Sequence, residues 1–280
     1  MPGSFLFGTV GSPNSTPPKP GGSIGAIDHI ASLGLQALEL GWVQSVRVSE
    51  DTCQLIKNKA LERQVAISVH APYFINLNAD EEEWPKSRKR LMDAAYYGNL
   101  AGATDIIFHP GSYFGAAPDQ VLPKAISRLA ECVAELRAQG NPAILRPETM
   151  GKSAMLGSLQ DTIEMACAIP GIVPCIDFAH LHARPGDGSV NTYPEWIDLI
   201  NGYAKYLGND ALHHLHIHLS GINYSEKGER NHLPLKESDL DIQNLLKALY
   251  DTGCQGRILC ESPVLEQDAL YMQEVWHSLV

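Results

Sequence analysis

The feature that most constrains the fold of this chain is an alternation of eight short apolar runs with longer segments of helical period. Runs rich in valine, isoleucine and leucine that alternate with helices are typical of parallel strands joined by crossover helices. The predicted strands cover residues 5–10, 37–40, 65–70, 105–110, 143–148, 173–177, 212–220 and 257–262. The pattern therefore predicts an α/β fold, a (β/α)8 TIM barrel that spans residues 1–280 as a single domain.

Local signals indicate where helices and loops begin. Ser49, Ser158 and Ser238 each precede a stretch of helical period that has a polar or acidic residue at its third position, which predicts N-caps. Pro118 suits a first helical turn. The stretch rich in proline and glycine at 11–23 separates the first strand from the first helix, so we interpret it as a long loop.

Charge and cysteine usage narrow the functional classes. The net charge of −11 argues against a protein that coats nucleic acid nonspecifically, so any contact with DNA must be local. The six cysteines include no C-x-x-C pair, which predicts reduced, buried thiols. We find neither a signal peptide nor a membrane-spanning stretch in the sequence, and we therefore expect a cytoplasmic monomer without membrane contact.

Residue types that bind metals strongly stand at the ends of six consecutive predicted strands. In a parallel barrel these ends share one face, where active sites are built, so the side chains are expected to converge. Each alone is more often a hydrogen-bonded or solvated group, but charges inside a barrel are costly unless they are paired or metal-bound. Imidazoles and carboxylates without cysteine suit zinc or manganese. The six residues are His70, His109, Glu148, Asp177, His218 and Glu261.

Additional histidines lie close to two of these strand ends. His180 follows Asp177 in a D-x-x-H pair, whose short spacing lets the two side chains serve adjacent metals. His214, His216 and His218 alternate, so they share one face of the seventh strand. His218 alone is at the strand end, and His216 is predicted to lie in the barrel interior or to support a ligand.

A polar segment, KGERNHLPL, follows the seventh predicted strand. We predict a loop that folds back over the metals and brings His232 to them. Glu229 is the nearest carboxylate partner of His232. For Glu229, a solvated position on the loop is an equally good interpretation of the sequence.

An ordered set of short motifs resembles the endonuclease IV family of abasic-site DNA repair nucleases, within the wider xylose-isomerase-like barrel group. The resemblance covers nearly the whole chain and implies a zinc-dependent hydrolase that cuts duplex DNA on the 5′ side of an abasic site in base-excision repair. The motifs are SVHAPYFINL (68–77), FHPG (108–111), RPET (146–149), CIDFAH (175–180), HIHLSG (216–221) and CESP (260–263).

The same resemblance implies an assignment of ligands to two or three ions. Glu148 would bridge the first and second ions, and Glu148 and Glu261 are the predicted catalytic residues. Such a cluster generates a nucleophile from water near neutral pH and neutralises phosphate charge, so no nucleophilic side chain is required. The first ion would be held by His70, His109 and Glu148, the second by Glu148, Asp177, His218 and Glu261, and the third by His180 and His232.

Two loops depart from the family pattern. Where the family has Asp-x-His, Arg230 stands two residues before His232, so Glu229 becomes a displaced substitute and the third site is predicted to be the weakest. The second-strand loop, GWVQSVRVSED, has no clear match to the basic and intercalating residues of the family, and Arg47 is its predicted substrate contact. Tyr73 in the third-strand loop is predicted to stack on DNA, as in the family. The alternative function is that of a sugar isomerase or epimerase of the same barrel group, which holds a single metal.

Overall fold

The computed structural model describes residues 4–279, in which eight parallel strands form a nearly closed barrel with helices between them. A separate antiparallel hairpin, β8 (Gly221–Ser225) and β9 (Gly228–Leu233), lies between the seventh and eighth barrel strands along the chain. The predicted TIM barrel is confirmed. Its strands are β1 (Phe5–Val10), β2 (Ala37–Gly41), β3 (Ala66–His70), β4 (Asp105–Phe108), β5 (Ile144–Pro147), β6 (Cys175–Asp177), β7 (Leu215–Leu219) and β10 (Gly256–Cys260).

The helices pack around the outside of the barrel and bury a continuous apolar layer against it. Phe5 of β1, for example, meets the ring of Trp276 edge-on at 5.0 Å between centroids. Within residues 4–279 we find no helix with the length and apolar character needed to cross a membrane. The helices are α1 (Gly22–Ser32), α2 (Glu50–Arg63), α3 (Trp84–Leu100), α4 (Pro118–Ala138), α5 (Leu159–Ala168), α6 (Phe178–Ala183), α7 (Tyr193–Leu207), α8 (Ile242–Asp251) and α9 (Glu266–Ser278).

The ring closes between β5 and β6 without a continuous ladder. Leu145 pairs with Ile172, and Glu148 pairs with Cys175, in isolated parallel bridges. The backbone N–H of Thr149 donates to the carbonyl oxygen of Cys175 at 3.0 Å. The backbone of Glu148, a predicted metal ligand, is therefore itself part of the closure of the barrel.

Two of the three predicted serine caps are confirmed. The side chain of Ser49 accepts a hydrogen bond from the backbone of Thr52 at the start of α2, and Ser158 forms a capping box at the start of α5. The Ser238 prediction is wrong, because α8 begins later, with Asp241 as its N-cap. The Ser238 hydroxyl accepts instead from the backbone N–H of Ile222 in the hairpin.

Three further predictions need correction. The seventh strand is shorter than 212–220, because its ladder with β10 begins only at Leu215, after a 3-10 helix over Asn209–His213. The predicted polar loop after it is the β8–β9 hairpin. All six cysteines are free thiols, but Cys167 is exposed while the other five are buried.

Candidate metal centre

Glu148, just beyond β5, lies at the middle of the converging strand ends. Its carboxylate is fully buried, and imidazole nitrogens face both of its oxygens. Oε2 is 3.3 Å from His70 Nε2 and 3.4 Å from His109 Nε2, while Oε1 is 3.4 Å from His218 Nδ1. The two oxygens therefore face different donor sets, as a bridging ligand requires.

The second donor set contains three strand-end residues besides Glu148. Asp177, His218 and Glu261 each offer one atom within 4.8 Å of the others and of Glu148. His218 Nδ1 is 3.5 Å from Glu261 Oε1. The structure thus brings together, from strand ends around the barrel, the residues predicted to hold the first and second ions.

A third donor set lies where the β8–β9 hairpin meets α6. His180 Nε2 is 3.4 Å from His232 Nε2 and 3.5 Å from Glu229 Oε2. Asp177 also lies within metal-binding range of His180 and His232. Glu229 points toward His180, which makes it available as a third-site ligand in place of the aspartate that the resemblance to endonuclease IV implies.

The distances between donor atoms match those expected between ligands of one tetrahedrally coordinated ion. Ligand atoms about 2.0–2.2 Å from one zinc lie about 3.3–3.6 Å apart in tetrahedral geometry. The observed distances of 3.3–3.5 Å fall in this interval and exceed the lengths of direct charged hydrogen bonds. Both oxygens of Glu148, Asp177 Oδ2 and His218 Nδ1 are buried without a hydrogen-bond partner among the described residues. Because such burial is costly, these residues fit a cluster of divalent cations.

Backbone carbonyls fix the proton position of three ligand histidines. In each case Nδ1–H donates to a carbonyl oxygen, so the lone pair of Nε2 faces the metal site. The pairs are His70 with Ala71 at 2.9 Å, His180 with Thr149 at 2.9 Å, and His232 with Glu261 at 3.1 Å.

The crowded carboxylates shift the protonation of their neighbours. Burial, reinforced by Glu261 and Glu148, raises the pKa of Asp177 to about 6. Burial alone would lower the pKa of His180, but Asp177 and Glu148 outweigh it and raise that pKa well above its usual value. Protons therefore compensate the carboxylates in the metal-free protein, and bound cations would displace them.

A β-bulge aligns Glu229 with His232. The two residues are three positions apart, so in a regular strand their side chains would point to opposite faces. The β8–β9 register skips Arg230: Glu229 pairs with Tyr224 and His232 pairs with Ile222. Because Ile222 and Tyr224 share one face of β8, the extra residue places Glu229 and His232 on one face too.

A glycine in the loop after β5 makes room for this hairpin. A Cβ atom on Gly151 would lie 2.7 Å from Glu229 Cβ and 3.0 Å from His180 Cδ2. The backbone N–H of Glu229 donates to the carbonyl oxygen of Gly151 at 2.9 Å. Gly151 therefore seats Glu229 beside His180.

An open pocket of about 170 Å³ gives access to the centre. The Tyr73 ring stacks on His109 at 5.0 Å and meets His70 edge-on at 5.3 Å. Burial, together with Glu261 and Glu148, raises the pKa of Tyr73 to about 12, so its phenol stays protonated. The pocket is lined by His70, Tyr73, His109, His180, Glu229, His232 and Glu261.

A family model described as xylose isomerase-like TIM barrel matches residues 27–276. The chain belongs to this family. An uncharacterized protein of Methanocaldococcus jannaschii is 36% identical over 276 residues, which cover 98% of each chain. A probable endonuclease 4 of Mycoplasma genitalium is 26% identical over 233 residues, or 79% of this chain and 76% of the relative.

Solved structures of two other proteins share the barrel. Endonuclease IV from Thermus thermophilus has a TM-score of 0.69 at 20% identity, over 96% of this chain and 98% of that one. A D-tagatose 3-epimerase-like protein has a TM-score of 0.66 at 18% identity, over 91% and 94%. At these identities the likeness shows the fold alone.

Two residues in or near β2 of this xylose isomerase-like barrel are Arg47 and Glu39. Arg47 is exposed and is not among the residues that line the pocket, so its contact with substrate stays a prediction. Glu39, which sequence reasoning missed, is fully buried and accepts hydrogen bonds from Ser68 Oγ at 2.7 Å and His216 Nε2 at 2.9 Å. The available signal was a lone carboxylate within the apolar run ALEL.

Proposed function

We propose that the protein is a zinc-dependent phosphodiesterase that hydrolyses the DNA backbone on the 5′ side of abasic sites in base-excision repair. The observation that carries this proposal is the presence of three donor sets, two of which share Glu148. Two or three ions fit these sets, with manganese as an alternative to zinc. When bound, the ions would activate water near neutral pH and neutralise charge on the reacting phosphate.

The protein's own residues would bind the ions and position the substrate. Glu148 and Glu261, the proposed catalytic residues, present carboxylates to the first and second donor sets from the rigid ends of their strands. The ring of Tyr73 packs against His70 and His109, and the residue is 46% exposed, which suits stacking on a base or filling the gap at a missing one. The residues that line the pocket include no serine, threonine or cysteine, which supports water as the nucleophile.

Local positive charge supports an anionic substrate despite the net charge of −11. Lys152, Lys227 and Arg230 are exposed and form no ion pair or side-chain hydrogen bond within residues 4–279; we call them the basic rim. A Cβ on Gly228 would lie 3.1 Å from Lys152 Cα, so the hairpin turn packs on the loop after β5. The basic rim thus flanks Glu229, where cations can position a DNA backbone.

The alternative, a sugar isomerase or epimerase, shares the barrel, so the fold does not separate the two functions. Such an enzyme needs one metal held by two carboxylates and one or two histidines. The hairpin, which brings Glu229 and His232 to His180, supplies a further donor set that a single-metal enzyme does not use. The similarity to the probable endonuclease 4 of Mycoplasma genitalium points the same way.

The decisive test is incision of a duplex that carries one abasic site. Zinc-loaded protein is expected to cut the strand that carries the abasic site, on the 5′ side of that site, and to leave an undamaged duplex intact. Addition of a chelator is expected to abolish this activity. The control is the Glu164→Gln variant, which removes an exposed carboxylate outside the donor sets. Conversion of a ketose to its epimer, without incision, would instead establish the sugar-enzyme alternative.

Tyr73→Ala is expected to separate substrate binding from metal binding. Loss of aromatic stacking should weaken binding of abasic duplex by about 1–3 kcal/mol, whereas zinc content should not change. The comparison is a binding titration beside elemental analysis, with Tyr96→Ala as a control because Tyr96 is exposed and contacts Glu50 on α2. Wild-type affinity in the Tyr73 variant would remove this residue from the substrate site.

A further inference from the structure

Four of the five predicted ligand histidines are oriented by two kinds of partner. His70, His180 and His232 donate from Nδ1 to backbone carbonyls. His218 is reversed: its Nδ1 faces Glu148 and Glu261, and its Nε2 lies 3.0 Å from Glu39 Oε1. For His218, a buried carboxylate therefore occupies the place that a carbonyl takes for His70, His180 and His232.

The surroundings of Glu39 leave one oxygen for His218. Oε2 accepts from Ser68 Oγ and His216 Nε2, whereas Oε1 has no hydrogen-bond partner among the described residues. His218 Nε2 also lacks one, because its contact with Oε1 is off the ideal hydrogen-bond line. Both atoms are buried, and the attraction between them offsets the cost of burying each one without a hydrogen-bond partner.

Strand pairing fixes the backbone around Glu39, just as hydrogen bonds fix its carboxylate. β2 pairs with β3 in register, with Glu39 opposite Ser68, so the hydroxyl donor and the acceptor are held on neighbouring strands. His216 and His218 are two residues apart on β7 and present both imidazoles to the same carboxylate. Glu39 is thus held one layer below the metal donors, inside the barrel.

We propose that Glu39 is a positioning residue that holds the proton of His218 on Nε2, directs the Nδ1 lone pair into the second donor set, and strengthens metal binding there. A carboxylate behind a ligand histidine fixes the ring and raises its basicity. This inference rests on the metal centre of the proposed function but not on DNA as the substrate.

The test is metal affinity in Glu39→Gln, which preserves side-chain shape and removes the charge. Competition with a chelator is expected to show one ion bound about 10–100-fold more weakly, with the other two unchanged. The visible absorption of cobalt-loaded protein should change for one site. Glu164→Gln, which makes the same chemical change at an exposed carboxylate outside the donor sets, is the matched control and should bind metal as the wild type does.

Several outcomes would overturn the inference. One is a folded Glu39→Gln protein, with a wild-type melting temperature in its metal-free form, that binds every ion as tightly as the wild type. If this variant does not fold, ¹⁵N NMR of zinc-loaded wild-type protein decides: a protonated Nε2 in His218 supports the role, and a protonated Nδ1 refutes it. If the wild-type protein binds no metal, both the metal centre and this inference are wrong. If the protein binds metal but does not cut abasic DNA, only the proposed substrate is contradicted.

Discussion

The strand-end part of the centre and its hairpin part hold their ligands in different ways. The side chains of His70, Glu148 and His218 are at most 1% exposed, that of His109 is 19% exposed, and all extend from strands in the barrel ladder, from their ends or from its closure. Those of Glu229 and His232 are 18% and 23% exposed and come from a hairpin that pairs only with itself. A ligand set on a self-paired hairpin needs that hairpin to be seated, so we expect the third ion to be bound most weakly.

Glu148→Gln should have the largest effect, because it removes the carboxylate that two donor sets share. We expect incision to be abolished and zinc content to fall, with a folded barrel by circular dichroism. Activity and elemental analysis measure this outcome against Glu164→Gln. Near-normal phosphodiesterase activity in Glu148→Gln would end the bridging assignment.

His232→Ala should break the hairpin part alone. Zinc content is expected to fall by one ion while the other two persist, and the same ion should leave the wild-type protein first under mild chelator. Asn231→Ala, an exposed neighbour on β9, is the control and should retain every ion. If all three ions were lost together, the two parts of the centre would not be independent.

Gly151→Ala tests how the hairpin is seated without removing any ligand. The added methyl group would lie 2.8 Å from Glu229 Oε2, so the carboxylate must move away from His180. We expect affinity for the third ion to fall about tenfold, or about 1.4 kcal/mol, with the first two ions unaffected. The control is Gly202→Ala, since a Cβ there meets no atom within 4 Å. Unchanged third-site affinity would mean that Glu229 is not a ligand.

Deletion of Arg230 should have the smallest effect on metal binding, and it tests directly how the hairpin part of the centre holds its ligands. Without the extra residue, β9 would pair regularly with β8, and Glu229 and His232 would become two positions apart on one face. Affinity for the third ion is therefore expected to stay within about tenfold of wild type. Competition with a chelator measures this affinity. Loss of the third ion from a folded deletion variant would contradict the role of the bulge.

The sequence predicted the barrel, and the convergence of its strand-end histidines and carboxylates, because both depend on local patterns. Apolar runs of strand length mark the ladder, and a histidine or carboxylate at the end of each run marks one face of the barrel. The errors lie where pairing decides the structure. Ser238 looks like a cap in its local sequence but is used by the hairpin, and β7 begins where β10 starts to pair with it.

The sequence by itself determined which side chains could bind metals and on which face of the fold they would meet. Only the tertiary structure decided how they are held. Glu39 reaches His216 across 177 positions of sequence, and Gly151 makes space for Glu229 from a different loop. The bulge at Arg230 is visible only in the register of two paired strands. These features depend on distances between segments remote in sequence, which strand periodicity and strand ends do not encode.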